Sequence, residues 1–153
     1  MAFEKPKDMD YFAVNHASWD QLADLHFNDE NDWYGVKGFL EGEERRCGFD
    51  VREMGDLSGK RVLHSQCHFG LDTLSAARFA DSVVGLDFSE NAVKNAQTLA
   101  EKAGLAHKAE FVCANVYDAG KVLGAESFDM IYASWGVTPW LHDLQGWADV
   151  LCP

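Results

Sequence analysis

From Asp56 onward, short apolar runs alternate with amphipathic stretches. Arg61-Val62-Leu63-His64-Ser65, following Gly59-Lys60, predicts a short buried strand. Leu71 to Phe79 predicts a helix with Asp72 and Thr73 near its start. Val83-Val84-Gly85-Leu86-Asp87 predicts a second strand. Ser89 is a good N-cap for a helix carrying Ala92, Val93, Ala96, Leu99, Ala100 and Ala103 on one face. Gly104 is placed to end it. Ala109–Cys113 and Phe128–Ala133 predict two more strands, and Leu141–Cys152 a last helix entered near Pro139. Strands alternating with helices at this spacing predict βαβ units, a parallel sheet and right-handed crossovers.

The first part of the chain reads differently. Residues 17–27 place Trp19, Leu22, Ala23, Leu25 and His26 at mixed i, i+3 and i+4 spacing, a helix pattern. Another helix is expected over 38–54, with a loop at Asn28-Asp29-Glu30-Asn31-Asp32 between them. Strand patterns are absent here, whereas aromatics are dense: Phe3, Tyr11, Phe12, Trp19, Phe27, Trp33, Tyr34, Phe39 and Phe49. The division expected is a helical, aromatic-rich cap over 1–55 and an α/β domain over 56–153.

Charge narrows the function. The 153 residues carry 13 Lys plus Arg against 25 Asp plus Glu, a net charge of -12. Residues 1–60 hold 14 acidic and 7 basic side chains and so carry -7 of it. No basic run exceeds Arg45-Arg46, which speaks against a nucleic-acid or anionic-membrane partner. No apolar stretch is long enough to span a bilayer, and the start lacks the apolar core of a signal peptide. Cys47, Cys67, Cys113 and Cys152 form no Cys-x-x-Cys pair, so a reduced, cytoplasmic protein is expected.

In open α/β sheets, ligands bind outside the carboxyl ends of the strands. After the first strand comes His64-Ser65-Gln66-Cys67-His68-Phe69-Gly70, in the position of a nucleotide loop but with Gly70 as its sole glycine. An ordinary strand–helix turn is the plainer reading. After the second strand comes Asp87-Phe88-Ser89, 21 residues beyond Gln66 at Asp87. A carboxylate there can take both ribose hydroxyls, or it can cap the next helix. After the third strand come Asn115 and Val116, suited to an adenine edge and face or to a simple turn. After the fourth come Ser134-Trp135-Gly136-Val137-Thr138-Pro139-Trp140, whose tryptophans could wall a pocket or pack under the last helix.

Val62 to Leu74, Val84-Gly85-Leu86-Asp87-Phe88-Ser89 and Ser127-Phe128-Asp129 resemble class I S-adenosylmethionine-dependent methyltransferases. The resemblance is to a bacterial branch whose first loop reads Leu-His-x-Gln-Cys-His-Phe-Gly. It extends to Asn15–Asp20 and Tyr34–Phe39, so it covers roughly residues 14–152. It implies a Rossmann-like parallel sheet of about four strands, order 3-2-1-4, with helices on both faces and a helical N-terminal lid. It implies S-adenosylmethionine as cofactor, held by His64, Gln66, Cys67, His68, Gly70, Asp87, Phe88, Asn115, Val116 and Ser134. The wider family carries acidic-x-Gly-x-Gly-x-Gly where His64, Gln66, His68 and Gly70 stand, so the acid that orients the methionyl ammonium is missing at His64. The family also continues beyond the last helix with further strands. The expectation is a truncated chain or a homodimer covering the exposed fourth-strand edge.

The activity expected is methyl transfer to a small molecule. Trp19, Trp33, Tyr34 and Trp135 are the candidate acceptor-binding and shielding residues. His142 and His68 are candidate bases, needed only if the acceptor loses a proton. The alternative is a module that binds S-adenosylmethionine or S-adenosylhomocysteine without turnover. A nicotinamide dehydrogenase lacks its glycines at Gln66 and His68 and has no Tyr-x-x-x-Lys. A zinc site at His64, Cys67 and His68 lacks an evident fourth ligand, and no metal is expected.

Overall fold

The computed structural model describes residues 10–124 and 128–152. Phe3, Ser127 of the Ser-Phe-Asp element and Pro153 lie outside the described residues. Four parallel strands, β1 (Arg61–Ser65), β2 (Ser82–Asp87), β3 (Ala109–Cys113) and β4 (Met130–Ala133), form one sheet in the order β3-β2-β1-β4. The α/β, Rossmann-like architecture is therefore as the sequence implies.

Alternation along β1 and β2 feeds two faces. Val62 and Val83 pack with Met54, Ala76 and Ala77 on one side. Leu63, Val84 and Leu86 pack with Val116, Ala119 and Leu151 on the other. The first face is covered by α2 (Val36–Leu40), α3 (Gly48–Met54), α4 (Leu71–Ala77) and α5 (Glu90–Lys102). The second is covered by α6 (Ala119–Leu123) and α7 (Leu144–Leu151). Chain order reverses at β1, which pairs with both β2 and β4, so the crevice for a ligand opens at the carboxyl ends of these strands.

The N-terminal helix α1 (Tyr11–Phe27) starts earlier than its apolar pattern predicts, because Asp10 caps it by accepting from the Ala13 N–H at 3.0 Å. Only Ala23 of α1 is buried. Polar groups hold it to α5. Asp20 Oδ1 accepts from Ser89 Oγ at 2.6 Å and from the Asn91 N–H at 3.0 Å. Asp20 Oδ2 and Asp24 Oδ1 accept from the side-chain amides of Asn91 and Asn95 at 2.9 and 2.8 Å.

The single helix expected over 38–54 is two. Gly42, at φ +110°, interrupts it, and Cys47 Sγ begins α3 by accepting from the Asp50 N–H. The last helix begins at Leu144 rather than Leu141, because Asp143 Oδ1 caps the Gly146 N–H at 2.9 Å. Pro139 lies in a short 3-10 turn, Thr138–Trp140. Among the described residues, no helix is long and apolar enough to cross a membrane.

Candidate functional site

The loop after β1 is bent by three consecutive left-handed positions at alternate residues: Gln66 at φ 58°, His68 at φ 53° and Gly70 at φ 76°. Left-handed backbone is disfavoured for residues with a Cβ, so the loop is held by its contacts. The Cys67 N–H donates to Leu86 O at 2.9 Å and the Gly70 N–H to Cys67 O at 3.0 Å. The His68 N–H donates to Asp87 Oδ2 at 2.8 Å. The Cys67 side chain seats over Gly85, where an added Cβ would lie 2.8 Å from its Sγ.

Asp87 closes β2 and is buried. Its Oδ1 accepts from the Ser89 N–H at 3.0 Å, so each oxygen holds one backbone amide. Burial pushes its carboxyl up, and the amides of Ser89, His68 and Phe88 pull against that.

A cavity of about 250 Å³ lies over the carboxyl ends of β1, β2 and β4. Its floor is Gln66 to Asp72 with Asp87 and Phe88, and its far wall is Ser134 to Val137. Trp19, Tyr34 and Trp140 complete it. Trp19 stands edge-on to Trp140 at 5.2 Å and to His68 at 5.6 Å. Asn15 Nδ2 donates to Trp140 O at 3.1 Å, joining α1 to the loop after β4 across the opening. Among the described residues no Lys or Arg lines the cavity, whereas Asp72 and Asp87 do.

His68 is one vertex of a cluster. Its Nε2 lies 3.0 Å from His26 Nδ1, which lies 3.0 Å from the Tyr34 hydroxyl. Burial, aided by the charge of His26, pushes the His68 imidazole down to about 4, so it is neutral at physiological pH. Burial also lowers His26 and raises the Tyr34 phenol. The Cys67 thiol is pushed up by burial and by the Asp87 charge, which leaves it protonated.

The structure thus brings Gln66, Cys67, His68, Gly70, Asp87, Phe88, Ser134, Trp19, Tyr34 and Trp135 to one cavity. It does not bring the others. His64 is a correction: the strand alternation that turns Val62 toward α4 turns His64 the same way. Its Nδ1 meets Thr73 Oγ1 at 2.7 Å and its ring stacks on Tyr132 at 4.0 Å, inside the protein. Trp33 is 84% exposed and off the cavity. Asn115 and Val116 are not among its lining residues; the Asn115 Oδ1 accepts from the Tyr117 N–H at 3.1 Å, and Val116 packs beneath the sheet. His142 packs against Tyr117 at 4.8 Å, also off the cavity, so it is not placed to act as a base there. His64, Cys67 and His68 do not converge; among the described residues no three His, Cys, Asp or Glu side chains are placed to hold a metal ion.

The sequence pattern marks Asp72 only as a helix-start residue, whereas it lines the cavity, and His26 only as one position on a helix face, whereas it stands behind His68. Trp140, one of the two tryptophans expected to wall a pocket or pack under the last helix, lines the cavity. Only the spacing of Asp72, two residues past Gly70, could have drawn attention to it.

Residues 62–153 match a family model described as a methyltransferase domain. No protein of curated description matches the chain. Among solved structures, the chain is similar to a Methanococcus maripaludis protein assigned as an S-adenosyl-L-methionine-dependent methyltransferase. Identity is 16% over 99% of this chain and 61% of that one, with a TM-score of 0.61. It is similar to Haemonchus contortus phosphoethanolamine N-methyltransferase 1, solved with phosphoethanolamine and S-adenosylhomocysteine. Here identity is 17% over 92% of this chain and 28% of that one, TM-score 0.62. A third structure concerns the conversion of a disulfide bond into a thioacetal group during echinomycin biosynthesis, with 30% identity over 67% of this chain and 42% of that one, TM-score 0.57. The chain spans between 28% and 61% of the length of these three proteins.

Proposed function

The chain belongs to the methyltransferase-domain family, and from that premise we propose that it is an S-adenosylmethionine-dependent methyltransferase acting on a small molecule. The observation that carries this reading is Asp87: a buried carboxylate at the end of β2, facing the cavity and fixed by two backbone amides. A carboxylate has about four acceptor positions. The His68 and Ser89 amides hold one oxygen each, and the acceptor capacity that remains suits a ribose diol.

The other lining residues fit the same cofactor. Its sulfonium is a cation, and the cavity offers two carboxylates, aromatic rings that include Trp19, Tyr34, Trp135 and Trp140, and, among the described residues, no competing Lys or Arg. Aromatic faces attract such a cation, more so when water is excluded. When bound, the cofactor supplies an electrophilic methyl group. The protein's part is to align an acceptor with it and to keep water out, and alignment alone accounts for much of the acceleration in such displacements. Where the acceptor must lose a proton, His68 is the imidazole at the cavity, and burial with the His26 charge makes it a weak proton acceptor.

A thermal-shift comparison tests the reading. S-adenosylmethionine and S-adenosylhomocysteine should each raise the melting temperature, because a ligand of the native state stabilises it by mass action, and NAD should not. A rise with NAD alone would overturn the assignment.

A further inference from the structure

Gln66 opens the bend after β1, and its side chain has two chemically unlike ends. The carboxamide oxygen accepts hydrogen bonds and the nitrogen donates them. The oxygen is engaged: it accepts from the Trp147 indole N–H at 3.1 Å and from the Ser65 hydroxyl at 3.5 Å. Among the described residues nothing accepts from the Gln66 Nε2. That nitrogen is also not one of the polar atoms sealed inside the protein without a partner, which are Arg45 Nε, His64 Nε2 and the Tyr132 hydroxyl. Gln66 lines the cavity, so its amide nitrogen is the end left to meet a ligand there.

Trp147 is held firmly enough to decide this orientation. Its backbone N–H donates to Asp143 O at 3.1 Å, and Asp143 Oδ1 caps α7 at the Gly146 N–H at 2.9 Å. The Asp143 backbone is fastened in turn to Tyr117, whose hydroxyl donates to Asp143 O at 3.0 Å and accepts from the Asp143 N–H at 3.1 Å. The Trp147 ring packs against the cluster of Leu63, Val116 and Leu151 on the second face of the sheet. An indole nitrogen donates and cannot accept. A Gln66 amide turned end for end would set two N–H groups against each other. The amide is therefore oriented from α7, by a residue 81 positions away in the chain. The orientation matters because Asp72 and Asp87 already present acceptors to the cavity. An inward Gln66 carbonyl would add one more, whereas its nitrogen adds a donor.

We propose that Trp147 is a positioning residue of the cofactor site. Its indole N–H holds the carbonyl end of Gln66 toward α7 and commits the amide nitrogen to the cavity, where it donates to an oxygen of the bound cofactor. This rests on the reading of the chain as an S-adenosylmethionine-binding protein, and it adds to that reading a residue of α7 that does not itself line the cavity. Trp147 acts through Gln66, as a supporting side chain locks one that meets the ligand.

Calorimetry of S-adenosylhomocysteine on a double-mutant cycle tests this, with the fold of each variant checked by circular dichroism. Gln66→Ala should weaken binding about tenfold, and Trp147→Phe, which keeps a ring but removes the N–H, about fivefold. In the Gln66→Ala background, Trp147→Phe should weaken binding by less than about 1.5-fold more, whereas a merely structural role would cost the same factor in both backgrounds. Gln66→Glu still accepts from Trp147 but has no donor to offer, so it should lose at least as much as Gln66→Ala. Losses that multiply across the cycle, an unchanged affinity in Trp147→Phe, or wild-type affinity in Gln66→Glu would overturn the role of Trp147. Nuclear magnetic resonance on the wild type avoids any folding defect of a variant. The Trp147 indole N–H should exchange with solvent at least about tenfold more slowly than that of Trp33, which is 84% exposed. Saturation with S-adenosylhomocysteine should shift the Gln66 side-chain amide resonances. Equal exchange rates, or Gln66 resonances unmoved at saturation, would overturn the role as well. Failure of the wild type to bind S-adenosylhomocysteine would instead overturn the cofactor reading, and this inference with it.

Discussion

The backbone N–H of His68 donates to Oδ2 of Asp87 at 2.8 Å, so the bend after β1 and the carboxyl end of β2 form a single unit. The bond requires His68 to adopt its left-handed φ of 53°, a strained position for a residue with a Cβ. It also turns the carboxylate toward the cavity while the Ser89 N–H holds its other oxygen at 3.0 Å. The geometry of the site is thus set by backbone groups in the loops that follow two adjacent strands.

The bend depends on Gly70. Its φ is +76°, and a Cβ there would lie 2.6 Å from the Phe111 ring and 2.9 Å from Ala96 Cβ. Gly70→Ala should destabilise the protein by about 1–3 kcal/mol, through overpacking and left-handed strain together. Chemical denaturation measures this directly, and an unchanged midpoint would show that the loop has room to shift.

The attachment of α1 is polar, so it should be separable from the stability of the sheet. Asp20 accepts three hydrogen bonds from Ser89 and Asn91. Asp20→Ala should accelerate amide hydrogen exchange along α1, while amides in β1 and β2 keep their protection. Uniform loss of protection across the molecule would mean that α1 and the sheet unfold as one.

Two tryptophans of the N-terminal region should behave differently. Trp19 lines the cavity and Trp33, at 84% exposure, does not. Trp19→Ala should weaken S-adenosylhomocysteine binding several-fold, in line with the loss of an aromatic wall of about 1 kcal/mol. Trp33→Ala should leave it unchanged. Equal effects in a fluorescence titration would contradict the placement of Trp19 at the cavity.

Acid should destabilise the protein through its buried imidazoles. Burial lowers His68 to about 4 and His64 to about 3 in the native state, against about 6.5 when unfolded. Between those limits the unfolded chain binds protons that the native one does not, so stability falls as pH drops from 6.5 toward 4. Asp72 and Asp87 act in the opposite sense, because their raised carboxyls keep a proton in the native state that the unfolded chain has lost. His68→Asn isolates one contribution. The wild type should lose roughly 2 kcal/mol more than this variant between pH 7 and pH 5. Parallel losses in urea denaturation would show that His68 is protonated in the native state.

The sheet was legible in the sequence because each strand is an apolar run bounded by polar or glycine residues, as at Gly59-Lys60 before Val62 and at Asp87 after Leu86. The place of Asp87 at a strand's carboxyl end was legible from the apolar run before it and Ser89 after it. His64 was misplaced although β1 carried the signal: it alternates with Leu63 and shares the face of Val62, which packs against α4. The left-handed backbone of Gln66 and His68 was hidden because neither residue is glycine. The clasp of Asp20 on Ser89 and Asn91 joins positions 69 and 71 residues apart, and no local pattern reports it. Asp72 looked like a helix-start residue because its place on the cavity is a property of the folded surroundings alone.

The sharpest test of the whole account is calorimetric titration of S-adenosylhomocysteine into the wild type and into Asp87→Ala, with the fold of each checked by circular dichroism. The wild type should bind, and the variant should bind at least tenfold more weakly, a loss of about 1.4 kcal/mol or more. Binding of equal strength to both folded proteins would remove Asp87 from the cofactor site and contradict the assignment.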